Sequence, residues 1–248
     1  MIGICRGVDV ETFNAGGSAN RASAPAVTVG WRGSISLWLP KFSAATALTA
    51  LAGFNDAVGY SALGHLYLSF MSGNSTHFGM SLAGGDWPGI LLAGSIILMF
   101  VVGTSVGTMI GDSFPQSMAQ RILGIEIVIM LWAMVGAWLG AGPAALVPVA
   151  GAMGMQNVLH QVIRGADVGK GFITGSLFGL GQALARLVLG KGQGNTAFQY
   201  GWSWLSFIAG VSTGALAYGK LGLPSALGVV TIVLAGMLAL TRYWSNGQ

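Results

Sequence analysis

Charged residues are scarce in this chain of 248 residues: they make up 7% of it, against roughly a quarter in an ordinary soluble domain. Cysteine is scarcer still, because Cys5 is the only one, so the chain can form neither a disulfide framework nor a cysteine metal site. Hydrophobic residues account for 53% of the sequence, and the mean hydropathy is +0.70. These values exclude an ordinary soluble domain and predict a polytopic membrane protein.

The apolar part also lacks several signatures of catalytic sites. It contains no His-Glu-x-x-His, no cysteine nucleophile and no pair of carboxylates at helical spacing. The stretch 169–175 resembles a phosphate-binding loop only superficially, because it lacks the Gly-Lys-Ser/Thr ending and a preceding strand. We therefore expect no enzyme, no cofactor and no bound metal. A minor alternative is an intramembrane enzyme, with His160 and Asp56 as its catalytic pair.

Long apolar runs follow one another along the chain, each long enough for a membrane span of about 20 residues. They cover 43–63, 65–84, 89–110, 121–141, 143–163, 168–189, 202–219 and 223–242. This pattern predicts an all-α transmembrane bundle of eight spans, with six to eight as the range. The second and sixth spans are doubtful, because they contain Ser72-Gly73-Asn74 and Thr174-Gly175-Ser176 and are either continuous helices or broken, re-entrant ones.

Two stretches of the chain resemble each other in order. The segment 70–74 aligns with 172–176, and upstream of them Gly53-Phe54-Asn55-Asp56 aligns with Gly154-Met155-Gln156-Asn157. Downstream, the pairs are Phe100 with Phe207, Gly103 with Gly210, Ser105 with Ser212 and Gly107 with Gly214. We predict a duplicated unit, with a first repeat over 39–141 and a second over 142–243. A flexible tail over 1–38 precedes the repeats, and a short tail over 244–248 follows them.

Polar residues recur at matched positions of the two repeats, where lipid would reject them unless they had partners. Asp56 is the most informative, because a carboxylate in an apolar span costs several kcal/mol unless it is neutral, paired or hydrated. A place in a proton or ion pathway and a role as a structural pin both explain it. In the second repeat Asn157 replaces the acid, and Gln156 and His160 share a polar helix face that must line a helix interface or a wet cavity.

We predict a substrate- or ion-binding site from these matched positions. Its residues are Asn55, Asp56, Ser72, Gly73, Asn74, Gln156, Asn157, His160, Thr174, Gly175 and Ser176. The alternative for the two small-hydroxyl turns is that their hydroxyls bond back within ordinary helices and their glycines pack against neighbours. Glu126, five residues after Arg121, is expected either at the membrane interface or paired with an arginine.

The partners predicted from composition are the lipid bilayer and an unknown small solute or ion. The 41 glycines include several at helix-packing spacing, which predicts close helix contacts and a homo-oligomer through glycine-rich faces. The net charge of +4 comes mostly from residues that flank the spans, so it is poor evidence for nucleic-acid binding. An eight-span arrangement places seven Lys and Arg on one side and four on the other, which favours cytoplasmic termini.

The motifs resemble those of a known family. At 53–57, 70–74, 154–157 and 173–175 the chain resembles the YoaK-type family of bacterial multi-pass membrane proteins, over roughly residues 40–242. The family pattern has a Thr-Gly-Asn turn where this chain has Ser72-Gly73-Asn74, and an alanine where it has Val158. The resemblance implies a bacterial inner-membrane location and a repeated architecture, but no substrate, because the family's activity is unassigned.

Two function classes follow. The first is a transporter of a small solute or ion, in which the two turns build a central site and Asp56 provides proton or cation coupling. The second is a non-transporting membrane scaffold or complex subunit, whose polar motifs pin helices together. Three-span repeats would be inverted and four-span repeats parallel, so the span count decides whether alternating access by inverted repeats is available.

Overall fold

The computed structural model describes residues 38–164 and 172–246. Within them the chain is all-helical, as predicted. It forms seven α-helices and a short 3-10 helix: α1 Trp38–Ala62, α2 Met71–Gly84, α3 Trp87–Ser113, α4 Met118–Trp138, the 3-10 helix Gly142–Leu146, α5 Val147–Arg164, α6 Phe172–Val188 and α7 Gly194–Asn246. Except for Trp38, the predicted N-terminal tail lies outside the described residues, and α7 extends into the predicted C-terminal tail.

The predicted eight spans are not confirmed. Among the described residues, three helices are long and apolar enough to cross a membrane, namely α3, α4 and α7. The predicted second span is helical only over the 14 residues of α2, a length of about 21 Å. That is too short for a hydrocarbon core of about 30 Å.

Helix α7 combines two of the predicted spans. Its 53 residues are interrupted at Gly222, whose φ of 76° and ψ of 173° are not helical, and Pro224 lies two residues further on. Glycine adopts this backbone conformation without the steric cost that a side chain would bring. The first part of α7 (194–221) and the second part (223–246) are therefore separate helical segments.

Two pairs of helices run parallel and touch through glycine. A Cβ added at Gly210 would collide with the backbone of Ala50, and one at Gly214 with that of Phe54, so the first part of α7 runs parallel to α1. In the same way Gly103 lies against Gly151 and Gly107 against Met155, so α3 runs parallel to α5. These faces are used within the chain, and the predicted homo-oligomer through them receives no support.

Other helices run antiparallel. Thr49 and Asn55 of α1 contact His160 and Met153 of α5 respectively, so the two sequences run in opposite directions where the helices cross. Helix α4 returns from the end of α3 and meets the second part of α7 in antiparallel sense. Met134 lies against Gly228 there, and Trp138 lines the same pocket as Pro224.

Residues 63–84 form a hairpin against α1. The non-helical segment 63–70 turns back along α1, because the carbonyl of Leu66 lies beside Gly59 and the amide of Ser69 reaches Asp56. Helix α2 then runs antiparallel to α3, with Phe78 against Gly94 and Ser81 beside Asp86. The hairpin therefore begins and ends at the same level, which is that of the C-terminal end of α1 and the N-terminal end of α3.

Much of the outer surface is apolar. Large hydrophobic side chains on the long helices are exposed, including Trp87 at 70%, Leu98 at 63% and Val128 at 65%. A soluble protein of this size would cover most such side chains, whereas a lipid-facing surface requires them. The exposure is consistent with the predicted contact with a bilayer.

Candidate functional site

The polar residues of α1 and α5 meet where these helices cross. Thr49 Oγ1 lies 3.2 Å from His160 Nε2, and Asn55 Nδ2 donates to Met153 Sδ over 3.4 Å. All four side chains are buried. Gln156 lies between Met153 and His160 on α5 and is 3% exposed. The crossing thus brings together three predicted site residues: Asn55, and about 100 positions later in the sequence Gln156 and His160, which are one helical turn apart.

Two amides at this crossing keep unused hydrogen-bonding capacity. Asn55 Oδ1, an acceptor, and Gln156 Nε2, a donor, are buried and have no hydrogen-bond partner among the described residues. Buried polar atoms are nearly always paired, and leaving one unpaired costs about 1–3 kcal/mol. A solute that offers both a donor and an acceptor would satisfy these two atoms.

Asp56 is fully engaged with the hairpin. Its Oδ1 accepts hydrogen bonds from the amides of Leu68 and Ser69 at 2.9 and 2.6 Å, and its Oδ2 accepts one from Ser69 Oγ at 2.8 Å. The carboxylate is 2% exposed. It therefore anchors the segment 63–70 to α1, which is the structural pin that the sequence left open as an alternative.

Asn74 holds the same segment from the other end. Its Nδ2 donates to the carbonyl of Tyr67 at 2.8 Å, and its Oδ1 accepts from the amide of Tyr67 at 2.8 Å. Asn74 is fully buried. Gly73 lies beneath the rings of Tyr67 and Phe70, where a Cβ would collide with both. The Ser72-Gly73-Asn74 motif thus forms the first turn of α2, and two of its residues fix the hairpin.

The matched motif in the second half also starts a helix. Thr174, Gly175 and Ser176 lie in the first turn of α6, which packs against α7. Burial follows the same order in both motifs. Ser72 and Thr174 are exposed, the glycines are half-buried, and Asn74 and Ser176 are buried. Asn157, which is half-buried on α5, is the remaining predicted residue.

The sequence did not indicate two members of the α1–α5 contact. Thr49 and Met153 are an ordinary threonine and methionine with no motif around them. Glu126, expected at the membrane interface or paired with an arginine, is 0% exposed, and neither of its carboxyl oxygens has a hydrogen-bond partner among the described residues. The guanidinium of Arg121 instead lies 3.7 Å from the ring centroid of Phe114.

Three other features carry no site. Gly103-Thr104-Ser105-Val106-Gly107 has the spacing of a nucleophile elbow, but it lies inside α3, and Ser105 Oγ donates to the carbonyl of Val101. No three metal-ligating side chains come together in the described parts of the chain. A pocket of about 310 Å³ between α4 and the second part of α7 is lined mainly by apolar side chains, with Ser225 as the polar exception.

Comparison with known proteins agrees with this picture of a membrane protein. Residues 44–240 match the model of a family described as protein of unknown function, DUF1275. The chain belongs to this family. It is also 30% identical, over 206 residues, to a UPF0700 transmembrane protein of Rhizobium meliloti (strain 1021), a match that covers 81% of this chain and 87% of that protein. No solved structure gives a significant match. The predicted membership of an uncharacterised multi-pass membrane family is confirmed, and DUF1275 gives it a name without a substrate.

Proposed function

We propose that this DUF1275 protein is a transporter that moves a small solute or ion through a polar site between two repeats. The observation that carries the proposal is the crossing of α1 and α5. These helices begin the two predicted repeats, and at their contact Asn55 Oδ1 and Gln156 Nε2 are buried without a hydrogen-bond partner in the described part of the chain. A scaffold would gain nothing from two unsatisfied amides, whereas a solute site needs free donors and acceptors.

The helix contacts support a duplicated unit. Gly210 lies against Ala50 as Gly103 lies against Gly151. The α1 and α5 members of these contacts are 101 positions apart, and the α3 and α7 members 107. The same two spacings relate Gly214 and Phe54 to Gly107 and Met155. The third helical segment of each repeat therefore packs against the first helix of the other repeat. The two contacts, α3 with α5 and the first part of α7 with α1, are equivalent.

The directions of the helices support inverted repeats. Helices α1 and α5 are antiparallel, and each half contributes four helical segments, of which the second, α2 or α6, is the shortest. We assign the crossings to α1, α3, α4, α5 and the two parts of α7, while α2 and α6 belong to re-entrant hairpins. Six crossings in two inverted halves are the arrangement that allows alternating access around a central site.

The distribution of basic residues supports the same assignment. We call the membrane side on which α1 begins the near side and the opposite side the far side. With six crossings, the near side receives the helix-end residues Lys41, Arg121, Arg164, Arg186, Lys191 and Arg242, whereas the far side receives Lys220. The eight-span arrangement had placed Arg121 and Arg164 on the other side. Because Lys and Arg concentrate on the cytoplasmic side, the near side and both termini are cytoplasmic in this proposal.

Flux measurements in proteoliposomes test the transporter. Wild-type protein would be assayed with a panel of small amides, amino acids, carboxylates and inorganic ions under an imposed pH gradient. We expect flux of at least one solute, and a fall of about tenfold or more in Asn55→Leu and Gln156→Leu, since a lost buried hydrogen bond costs about 1–3 kcal/mol.

The matched control is Ser61→Ala on α1, because Ser61 Oγ bonds only the carbonyl of Ala57 within its own helix. Flux should be unchanged in this variant. Folded wild-type protein that moves no member of the panel, or equal flux in all variants, would count against the proposed site.

A scaffold or complex subunit is the second candidate. Asp56 and Asn74 favour it, because both are wholly occupied in holding the segment 63–70. A scaffold predicts that Asn55→Leu and Gln156→Leu fold at least as well as wild type and that no solute moves. The same liposome experiment therefore separates the two candidates.

A further inference from the structure

Glu126 is an isolated carboxyl in the middle of a membrane helix. It lies on the buried face of α4, with Ile122 and Met130 one turn to either side, and all three are 0% exposed. Neither carboxyl oxygen has a hydrogen-bond partner among the described residues. Asp56, by contrast, accepts three hydrogen bonds.

Among the described side chains of the neighbouring elements, no charged group faces Glu126. On α4 itself, the Arg121 Nε donates to Ser117 Oγ while its guanidinium covers Phe114. The antiparallel register set by Met134 and Gly228 puts Glu126 opposite 231–240 of α7, a stretch without an ionisable residue.

The described side chains on the other neighbours of α4 offer no counter-charge either. On α5, the described ionisable side chain is His160, which faces Thr49 of α1. On α3, Asp112 is exposed near the end of the helix, and the 3-10 helix contains no ionisable residue.

The carboxyl group of Glu126 makes no hydrogen bond with a described residue that would stabilise the fold. An ionised group without a partner is strongly disfavoured in such a place, so this conformation accommodates the protonated form. The buried residues Ile122, Leu123, Glu126 and Met130 of α4 have the same spacing as Ala226, Leu227, Val230 and Leu234 of α7. Val230 occupies the position that corresponds to Glu126, so packing there needs only an apolar side chain.

We propose that Glu126 is a proton-binding site whose loading and release are coupled to solute movement. The coupling rests on the proposed transport function, whereas proton binding does not. The carboxylate takes up one proton to give the neutral acid in the closed contact between α4 and α7, and it releases that proton when the helices separate and water reaches it. A pocket lies between the same two helices about 12 Å away, beside Met134 and Gly228. The coupling role expected for Asp56 thus passes to a residue outside the predicted site.

Proton binding can be measured without any solute. Infrared difference spectra of wild-type protein in lipid, recorded across a pH series, should show a protonated-carboxyl band that is lost in Glu126→Gln. Dicyclohexylcarbodiimide, which reacts with protonated carboxyls in apolar surroundings, should label Glu126 in wild type by mass spectrometry. Asp112→Asn is the matched control and should leave both signals unchanged. A band that survives in Glu126→Gln, or a wild-type Glu126 that stays unlabelled, would overturn the inference even if the variant folded poorly.

The coupling is tested by accumulation against a gradient. Glu126→Gln mimics the protonated acid and should keep downhill solute exchange while it loses accumulation driven by a pH gradient. Undiminished accumulation in this variant would overturn the coupling and leave the transporter intact. Wild-type protein that binds the proton at Glu126 but moves no solute would overturn the transporter, and the coupling with it, while proton binding stands.

Discussion

Two buried carboxyls in this protein differ in what surrounds them. Asp56 receives hydrogen bonds from two backbone amides and a hydroxyl, so both of its carboxyl oxygens have partners in the hairpin. Glu126 receives none. Since both are acids in apolar segments, sequence alone gives them similar weight, and only the partners separate an anchoring role from a proton-binding one.

Asp56→Asn should lower stability through the hairpin. The asparagine oxygen can still accept from the amides of Leu68 and Ser69, and its NH₂ group can donate to Ser69 Oγ, but these neutral hydrogen bonds are weaker than those of a carboxylate. We expect a loss of about 1–3 kcal/mol in the free energy of unfolding. Thermal unfolding in detergent would measure it.

Ser69→Ala provides a graded comparison, because it removes one of the three hydrogen bonds to Asp56 and keeps the two from backbone amides. Its effect should be smaller than that of Asp56→Asn. The exposed Asp112→Asn should have none. An Asp56→Asn protein that is as stable as wild type but defective in flux would show that Asp56 acts in transport rather than as an anchor.

At the scale of elements, the two glycine contacts should respond alike. A Cβ at Gly103 would collide with the backbone of Gly151, and one at Gly210 with that of Ala50. Backbone cannot move aside as a side chain does, so Gly103→Ala and Gly210→Ala should each cost about 1–3 kcal/mol, the range for overpacking. Thermal unfolding of the two variants should give losses of similar size.

Gly79→Ala and Gly236→Ala are the matched controls, because both glycines are helical and a Cβ at either would meet nothing within 4 Å. These variants should be neutral or slightly stabilising, since alanine favours a helix over glycine by about 1 kcal/mol. A large loss at Gly103 with none at Gly210 would contradict the equivalence of the two contacts.

The sequence could predict the positions of the helices better than the contacts between them. Apolar runs located the helices, and Ser72-Gly73-Asn74 and Thr174-Gly175-Ser176 lie at the starts of the two helices, α2 and α6, that we propose do not cross the membrane. The sequence could not predict the antiparallel crossing of α1 and α5, because the contact of Asn55 with Met153 joins residues far apart in the chain. The role of Asp56 was undecidable for the same reason, as its donors lie in a segment without regular structure.

At the scale of the whole molecule, charge and topology are linked. With six crossings, a single basic residue at a helix end, Lys220, falls on the far side, whereas the eight-span count spreads the basic residues over both sides. An excess of Lys and Arg on one side of the membrane is what sets the orientation of a multi-span protein. The two hairpins cause this difference. If the segment 63–84 does not cross the membrane, every helix end between it and the second hairpin lies on the opposite side from that in the eight-span arrangement.

Cysteine accessibility in whole cells distinguishes these topologies. In a Cys5→Ser background, single cysteines at Gly84, Gln116, Lys191 and Lys220 would be labelled with a membrane-impermeant maleimide. Six crossings place position 84 with 220 on the far side and position 116 with 191 on the near side, so we expect labelling from outside at 84 and 220 only. Eight spans would exchange positions 84 and 116 and leave 191 and 220 where they are, which makes those two internal controls. Labelling at 116 with protection at 84 would therefore refute the re-entrant hairpin 63–84, and with it the inverted repeats on which alternating access depends.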